Sequence, residues 1–408
     1  MKTKLFLLLG VFALITGCQN DDDGSDIAKP RKDIVLSRAE EVLTNENIDF
    51  AFRLFKQVNN AEKEHANWAI SPLSTSLALG MVANGAAGNT LEEIKGVLGF
   101  SSFELEAMNT YNQKLVKELL DLDNTTLLNI ANSIWVKNTY PIDNSFVDLN
   151  KSMYDARVES LDLSTQESVK IINDWVSSQT NKAIKEVVSA PNPYVNMYLM
   201  NALYFKGIWR YPFKKSNTKE ELFTNADGSS VEVPMMNLEE SFIHIQTDDF
   251  NIAEFPYGNS AFSMVILLPA EGKTLDESLV NLTYENWSEL YDDTRFEKLI
   301  VKLPRFELNS NKDLADDLKS MGIKDAFFEE TADFSKLTPS PDFSMGVVDQ
   351  VINIKVNEEG TEASTVTNIH KWPTSNSSRR FHVDRPFAFM IKEKSTGTIL
   401  FMGKVTKM

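Results

Sequence analysis

The residues 197–209, MYLMNALYFKGIW, constrain this chain more than any other stretch. They are apolar almost throughout, and a run of that kind reads as a strand covered on both faces of its sheet. Asn201 interrupts it, and a buried amide must find hydrogen-bond partners. A chain of 408 residues that is 42% hydrophobic and 10% aromatic can supply the covering layers, as one large or two medium domains. No internal repeat or second domain boundary is evident, so a single domain is expected.

Other segments carry the periodicities of an α+β protein. Helical spacing begins after Ser37, with Ala39, Val42, Leu43, Phe50, Phe52, Leu54 and Phe55. At 67–81 a strand runs into Ser71 and Pro72, and a helix rich in small residues follows, with serine caps and a proline in its first turn. Thr90 and Glu93 have capping-box spacing for the next helix. Strands are expected at 128–136, 251–257, 262–269 and, as one element, 296–306, with a helix around 314–323 ended by Gly322. Residues 381–391 and 399–405 form a closing hairpin around Ser395, Thr396 and Gly397.

The stretch 356–367, VNEEGTEASTVT, has the composition of a strand with no partner yet assigned. It contains no proline, and from Thr361 to Thr367 every residue except Glu362 is small, β-branched or both. Alternation puts Thr361, Ala363, Thr365 and Thr367 on one face. A polar, proline-containing loop follows up to Arg380. Glu358-Glu359-Gly360-Thr361-Glu362-Ala363 resembles the proximal hinge of the serpins, followed at the expected distance by a reactive loop and by Arg385-Pro386-Phe387-Ala388-Phe389.

The resemblance covers nearly the whole chain after residue 33. It implies the serpin fold: a large central, mostly antiparallel sheet, two smaller sheets, surrounding helices and an exposed reactive loop at about 358–380. Ser71 and Ser74 match the serines of the family's shutter, although spacing alone also allows plain helix caps. Asn201 matches the shutter asparagine, Trp209 the tryptophan at the breach where the loop first enters, and Arg305 the site of a lysine that pairs with the hinge glutamate, here Glu358. An exposed Arg305–Glu358 pair would contribute about 0–1 kcal/mol and act by positioning. Counted back from Glu358, Gln350 stands where the family places a shutter histidine; it can still bridge polar groups, without pH sensitivity.

The implied activity is that of a suicide substrate, not an enzyme. A target protease cuts the loop, the hinge inserts as a new strand, and the protease stays covalently bound one to one; serpin loop insertion is a standard example of such a transition. The family's spacing from Glu358 puts the cut between Thr374 and Ser375, with Lys371 and Arg379 as alternatives for trypsin-like enzymes. Threonine there suits elastase-like or subtilisin-like pockets, or a broad cysteine protease. Small hinge residues favour an inhibitory member, and Thr361→Arg is expected to bury a charge as insertion begins. A non-inhibitory serpin-fold binding protein is the alternative reading.

The formal charge of −17 and sequence pI near 4.8 argue against nucleic acid as a partner. Cys18 is the sole cysteine, so the body has neither disulfides nor a thiolate nucleophile. Lys2 and Lys4 precede a short apolar run ending in Ile15-Thr16-Gly17-Cys18, which resembles a bacterial lipobox. That reading makes 1–17 a lipoprotein signal peptide, 18–33 a polar tether lipidated on Cys18, and 34–408 a monomeric serpin domain held at the outer membrane, surface-exposed or periplasmic. Asp21, Asp22 and Asp23 resemble a surface-export signal of Bacteroidetes lipoproteins. An ordinary secretory signal with a chance cysteine is the alternative.

Hydrolase signatures are absent: there is no Gly-x-Ser-x-Gly elbow, His-Glu-x-x-His, phosphate loop or dinucleotide fingerprint. His65, His244, His370 and His382 have no metal spacing. A scattered glycosidase carboxylate pair has no positive support in the sequence, so a surface hydrolase is disfavoured. No cofactor is expected.

Overall fold

The computed structural model describes residues 29–62, 67–290, 295–361 and 378–408. Its strands in chain order are β1 (Trp68–Ile70), β2 (Thr126–Lys137), β3 (Arg157–Leu161), β4 (Met197–Ile208), β5 (Lys219–Thr224), β6 (Ser230–Gln246), β7 (Phe250–Pro256) and β8 (Phe262–Pro269). They continue with β9 (Arg295–Pro304), β10 (Phe306–Asp313), β11 (Val347–Asn357), β12 (Gly360–Thr361), β13 (Arg379–His382), β14 (Phe387–Glu393) and β15 (Ile399–Val405).

β4 lies inside a six-stranded sheet of order β10-β11-β12-β4-β2-β3, and its two faces are covered by different cores. Met197, Leu199, Leu203 and Phe205 face the main core, whereas Tyr198, Met200 and Ala202 pack in a second one with Trp135 and with Ile172, Trp175 and Val176 of the helix Gln166–Gln179. Two-sided burial therefore explains the absence of apolar–polar alternation. Each large side chain so covered contributes about 1.5–3 kcal/mol. The Trp135 and Trp175 rings meet edge to face at 5.9 Å.

The second sheet runs β1-β15-β14-β8-β7-β6-β9-β13, with β5 pairing to β6 outside that order. The seventeen-residue β6 pairs with β5 at one end and β7 at the other, so the two smaller sheets expected from the sequence form one hydrogen-bonded network. The stretch 296–306, expected as one strand, divides at Arg305: Pro304 pairs with Met235 in this sheet and Phe306 with Val356 in the other. Pro304 cannot donate to a ladder, and the Arg305 N–H extends the β6 register by one last step, donating to the Pro234 carbonyl at 3.0 Å.

Between the sheets lies the helix Pro72–Ala83, all of whose residues are buried. Ser71 caps it, accepting from the Ser74 N–H at 3.3 Å, with Pro72 in the first turn as expected. The capping box at Thr90 is not formed. The helix Gly88–Leu98 starts three residues too early for it, with Ala87 at the N-cap; Thr90 Oγ1 accepts instead from Asp333 N at 2.9 Å, and Glu93 accepts from the N–H groups of Lys324 and Asp325. Tertiary donors have taken both acceptors.

Candidate functional site

After β11 the chain reverses at Glu358 and Glu359 and enters the space between β11 and β4. β12 pairs with both: Thr361 lies between Val356 and Gly207, and Gly360 between Asn357 and Ile208. Gly360 has φ +145°, and a Cβ there would lie 2.1 Å from the Gly207 carbonyl oxygen, so any side chain would force the hinge out. The Glu359 carbonyl accepts from Trp209 N at 2.9 Å and the Glu358 carbonyl from Phe213 N at 3.0 Å.

Trp209 sits beneath this turn. Its Nε1 donates to the Asn357 carbonyl at 2.8 Å, and its ring stacks on Tyr257 at 4.5 Å and 8°. The Tyr257 hydroxyl in turn shares a 2.8 Å hydrogen bond with Thr361 Oγ1. Burial drives the Tyr257 phenol well above its ordinary range, against a smaller opposing effect of that bond. The first hinge side chain is thus already seated, with Thr361 2% exposed. The expectation that position 361 becomes buried only when insertion begins is corrected: burial there precedes any cut.

At the opposite end β11 and β4 pair directly and in parallel, Val347 with Tyr198, Val348 with Leu199 and Asp349 with Met200. The ladder then stops. Among the described residues, no pairing joins 350–355 to 201–206, although both flanks continue in one register up to Thr361. The flanks thus open from a directly paired end to a mouth one strand wide, where β12 sits, and the slot lies between these two formed ends. Asp349 marks its closed end, its pKa pushed up to about 6 by burial and then by the neighbouring Asp313 carboxylate.

The residues likened to the family's shutter are linked by hydrogen bonds beside these two strands. The Ser71 N–H donates to Gln350 Oε1 at 2.7 Å, and Gln350 Nε2 donates to the Ser71 carbonyl at 2.9 Å and to Thr75 Oγ1 at 3.3 Å. Ser74 Oγ donates to Asn201 Oδ1, Asn201 Nδ2 to Asn132 Oδ1, and Asn132 Nδ2 to the Tyr154 carbonyl at 2.8 Å. The two flanking strands are therefore tied separately to the N-terminus of one helix. Ser71 caps the helix through its side chain, while its backbone N–H and carbonyl meet Gln350.

Glu358 is 2% exposed and Arg305 42%, which corrects the expectation of an exposed pair. Arg305 Nε donates to both carboxylate oxygens at 3.0 and 2.8 Å, Nη2 donates to Oε1, and Thr218 Oγ1 donates to Oε1 at 2.5 Å. Burial alone would raise the Glu358 pKa; the Arg305 and Thr218 donors outweigh it and hold the carboxyl below its usual range. Arg379, an alternative cleavage residue, lies in β13, where Nε pairs with Glu297 at 3.2 Å and Nη1 donates to Gln246 at 2.9 Å. Ala363, Thr365, Thr367, Lys371, Thr374, Ser375 and Cys18 lie outside the described residues.

Sequence reasoning missed Asn132, Thr75, Thr218, Phe213 and Tyr257. A signal existed for Asn132, a polar residue inside an apolar strand and directly opposite Asn201. None existed for Thr218, in the turn before β5, or for Tyr257, just past β7, both remote from the hinge in sequence.

A model of the family described as serpin, serine protease inhibitor, matches residues 45–408. The chain belongs to the serpin family. Serpin B3 of Homo sapiens is 34% identical over 387 residues, covering 89% of this chain and 98% of its own. Neuroserpin of Gallus gallus is 33% identical, covering 85% and 87%. Among solved structures, the thermophilic serpin tengpin in its native state superposes with TM-score 0.83 at 30% identity, covering 93% of this chain and 97% of its own. Human thyroxine-binding globulin complexed with thyroxine gives TM-score 0.83 at 27%, covering 90% and 99%. The general activity of this serpin family is protease inhibition rather than catalysis.

Proposed function

We propose that this serpin is inhibitory and traps serine endopeptidases, with elastase-like or subtilisin-like specificity and a reach that extends to cysteine proteases. The observation that carries the reading is the slot between β11 and β4, whose mouth already holds Thr361. Continued antiparallel in the same register, Ala363 would come level with Ile354 and Phe205, Thr365 with Ile352 and Leu203, and Thr367 with Gln350 and Asn201. Ile354, Phe205, Ile352 and Leu203 belong to the main core, so small hinge side chains suit the room beneath.

The protease nucleophile attacks the Thr374 carbonyl carbon, the bond to Ser375 breaks, and the departing amine takes the proton. The acyl ester then rides on the inserting strand. Fourteen residues from Thr361 to Thr374, at about 3.3 Å each, carry it roughly 46 Å. Deacylation needs triad and oxyanion hole aligned to within about an ångström, so a protease pulled out of shape cannot complete it. The chain acts as a monomer, lipid-anchored through Cys18 to the bacterial outer membrane, facing the exterior or the periplasm.

Incubation with an elastase tests the reading. An SDS-resistant one-to-one adduct, with a released peptide beginning at Ser375, is expected. Cleavage without adduct would favour the second reading, a non-inhibitory binding protein, which the likeness to thyroxine-binding globulin and the inward register of Lys371 favour.

A further inference from the structure

The segment 29–36 lies along the body rather than trailing from it. Lys29 N–H donates to Asn124 Oδ1 at 2.7 Å and its Nζ pairs with Asp121 at 3.0 Å; Lys32 pairs with Glu118 at 3.0 Å; Lys114 Nζ donates to the Val35 carbonyl at 2.9 Å. The partners 121, 118 and 114 step down the helix Leu105–Asp121 roughly one turn at a time, so the segment runs antiparallel to it as a strap. Ile34 is buried in the main core, and its N–H donates to Ser395 Oγ at 3.0 Å. The lysine pairs are exposed and add little; the buried isoleucine and the backbone bonds fix the path.

This path ends at the hinge. Thr126, two residues past Asn124, is in register with Gly207, which is in register with Thr361; two strand spacings make that about 10 Å. Asp123 accepts from Asn259 N at 3.1 Å, two residues from the Tyr257 that holds Thr361. The opposite pole, where β4 begins, carries Tyr194 at 90% exposed. The twelve residues of β4 separate the poles by about 40 Å.

We propose that the strap makes the lipid tether leave from the hinge pole, so that the reactive loop is presented toward the membrane and the endopeptidases it meets are those working at the membrane surface. This rests on the proposed acylation of Cys18. The eleven steps from Cys18 to Lys29 reach at most about 40 Å. Turning the hinge pole outward would need a tether crossing the whole length of β4 and the loops beyond it. Loop insertion then carries a captured protease toward the Tyr194 pole, away from the bilayer.

The acylated full-length protein, seated in phosphatidylethanolamine–phosphatidylglycerol vesicles containing a rhodamine lipid, provides the test. A thioether-linked lipid blocks Cys18, so Ser216→Cys, exposed beside the hinge, and Tyr194→Cys each give a unique thiol for a donor dye. Energy transfer to the bilayer is expected to be several-fold stronger from position 216. Adding Lys29→Glu, Lys32→Glu and Ile34→Asp, which frees the strap and lengthens the tether to nineteen steps at Ser37, should erase most of the difference. Equal or reversed transfer with the strap intact overturns the proposal. Mass spectrometry showing unmodified Cys18 removes the anchor itself, a distinct failure that takes the proposal with it.

Discussion

Replacing Thr361 by arginine attacks the hinge at its one seated side chain. The Tyr257 hydroxyl, now paired to Thr361 at 2.8 Å in a buried site, would lose its partner at a cost of about 1–3 kcal/mol. A guanidinium in the same space adds a desolvation penalty of several kcal/mol. Both oppose β12 keeping its place between Val356 and Gly207, so the hinge swings out and insertion must start from an empty mouth. If only about 3 kcal/mol of this reaches the insertion barrier, insertion slows roughly 100-fold. Deacylation is unaffected, so the partition shifts from adduct toward turnover by the same factor. Titrating an elastase against the variant and scoring residual activity with SDS-resistant adduct gives the stoichiometry directly. A stoichiometry unchanged from the parent refutes the reasoning, and Thr361→Ser, which keeps the hydroxyl, should stay near the parent value.

Glu358→Gln removes the charge that Arg305 and Thr218 surround; urea unfolding of the intact protein should show a loss of about 1–3 kcal/mol, and no loss would mean the pair is idle. The Glu358 pKa is depressed, so its contribution is present above the ordinary carboxylate range and lost as pH falls through the folded value. Asp349 has the opposite sign: with its pKa at about 6, the native state binds more protons than the unfolded chain between about pH 4 and 6, and stability falls as pH rises through that window. Asp349→Asn should raise Tm at about pH 7.5, by an amount worth up to roughly 3 kcal/mol, and leave Tm near pH 4 unchanged. An equal shift at both pH values, by calorimetry, would contradict the assignment.

Much of the fold was legible because its signals are local. The two-sided burial of β4, the Ser71–Pro72 helix start and the closing hairpin each follow from patterns within about a dozen residues. The failures share a cause as well. Thr90 and Glu93 have the right spacing for a capping box, yet donors on Asp333, Lys324 and Asp325 claim them. Arg305 lies between strands of two different sheets, and its carboxylate partner is buried at the hinge, a fact no periodicity carries. At the candidate site, Ser71, Ser74, Asn201, Trp209, Gln350 and Glu358 were named from the family likeness, and the residues that bind them, Asn132, Thr218 and Tyr257, come from segments that only folding brings near.

The account depends on the intact chain lying above its lowest free energy, with the pairing between 350–355 and 201–206 withheld. A strand filling that slot would add roughly a dozen backbone hydrogen bonds at about 1 kcal/mol net each, on the order of 10 kcal/mol in all. Calorimetry of intact protein beside protein nicked once in the loop measures this directly. The nicked form should melt well above the intact one; equal melting temperatures, with the severed hinge still open to further proteolysis, would contradict the account.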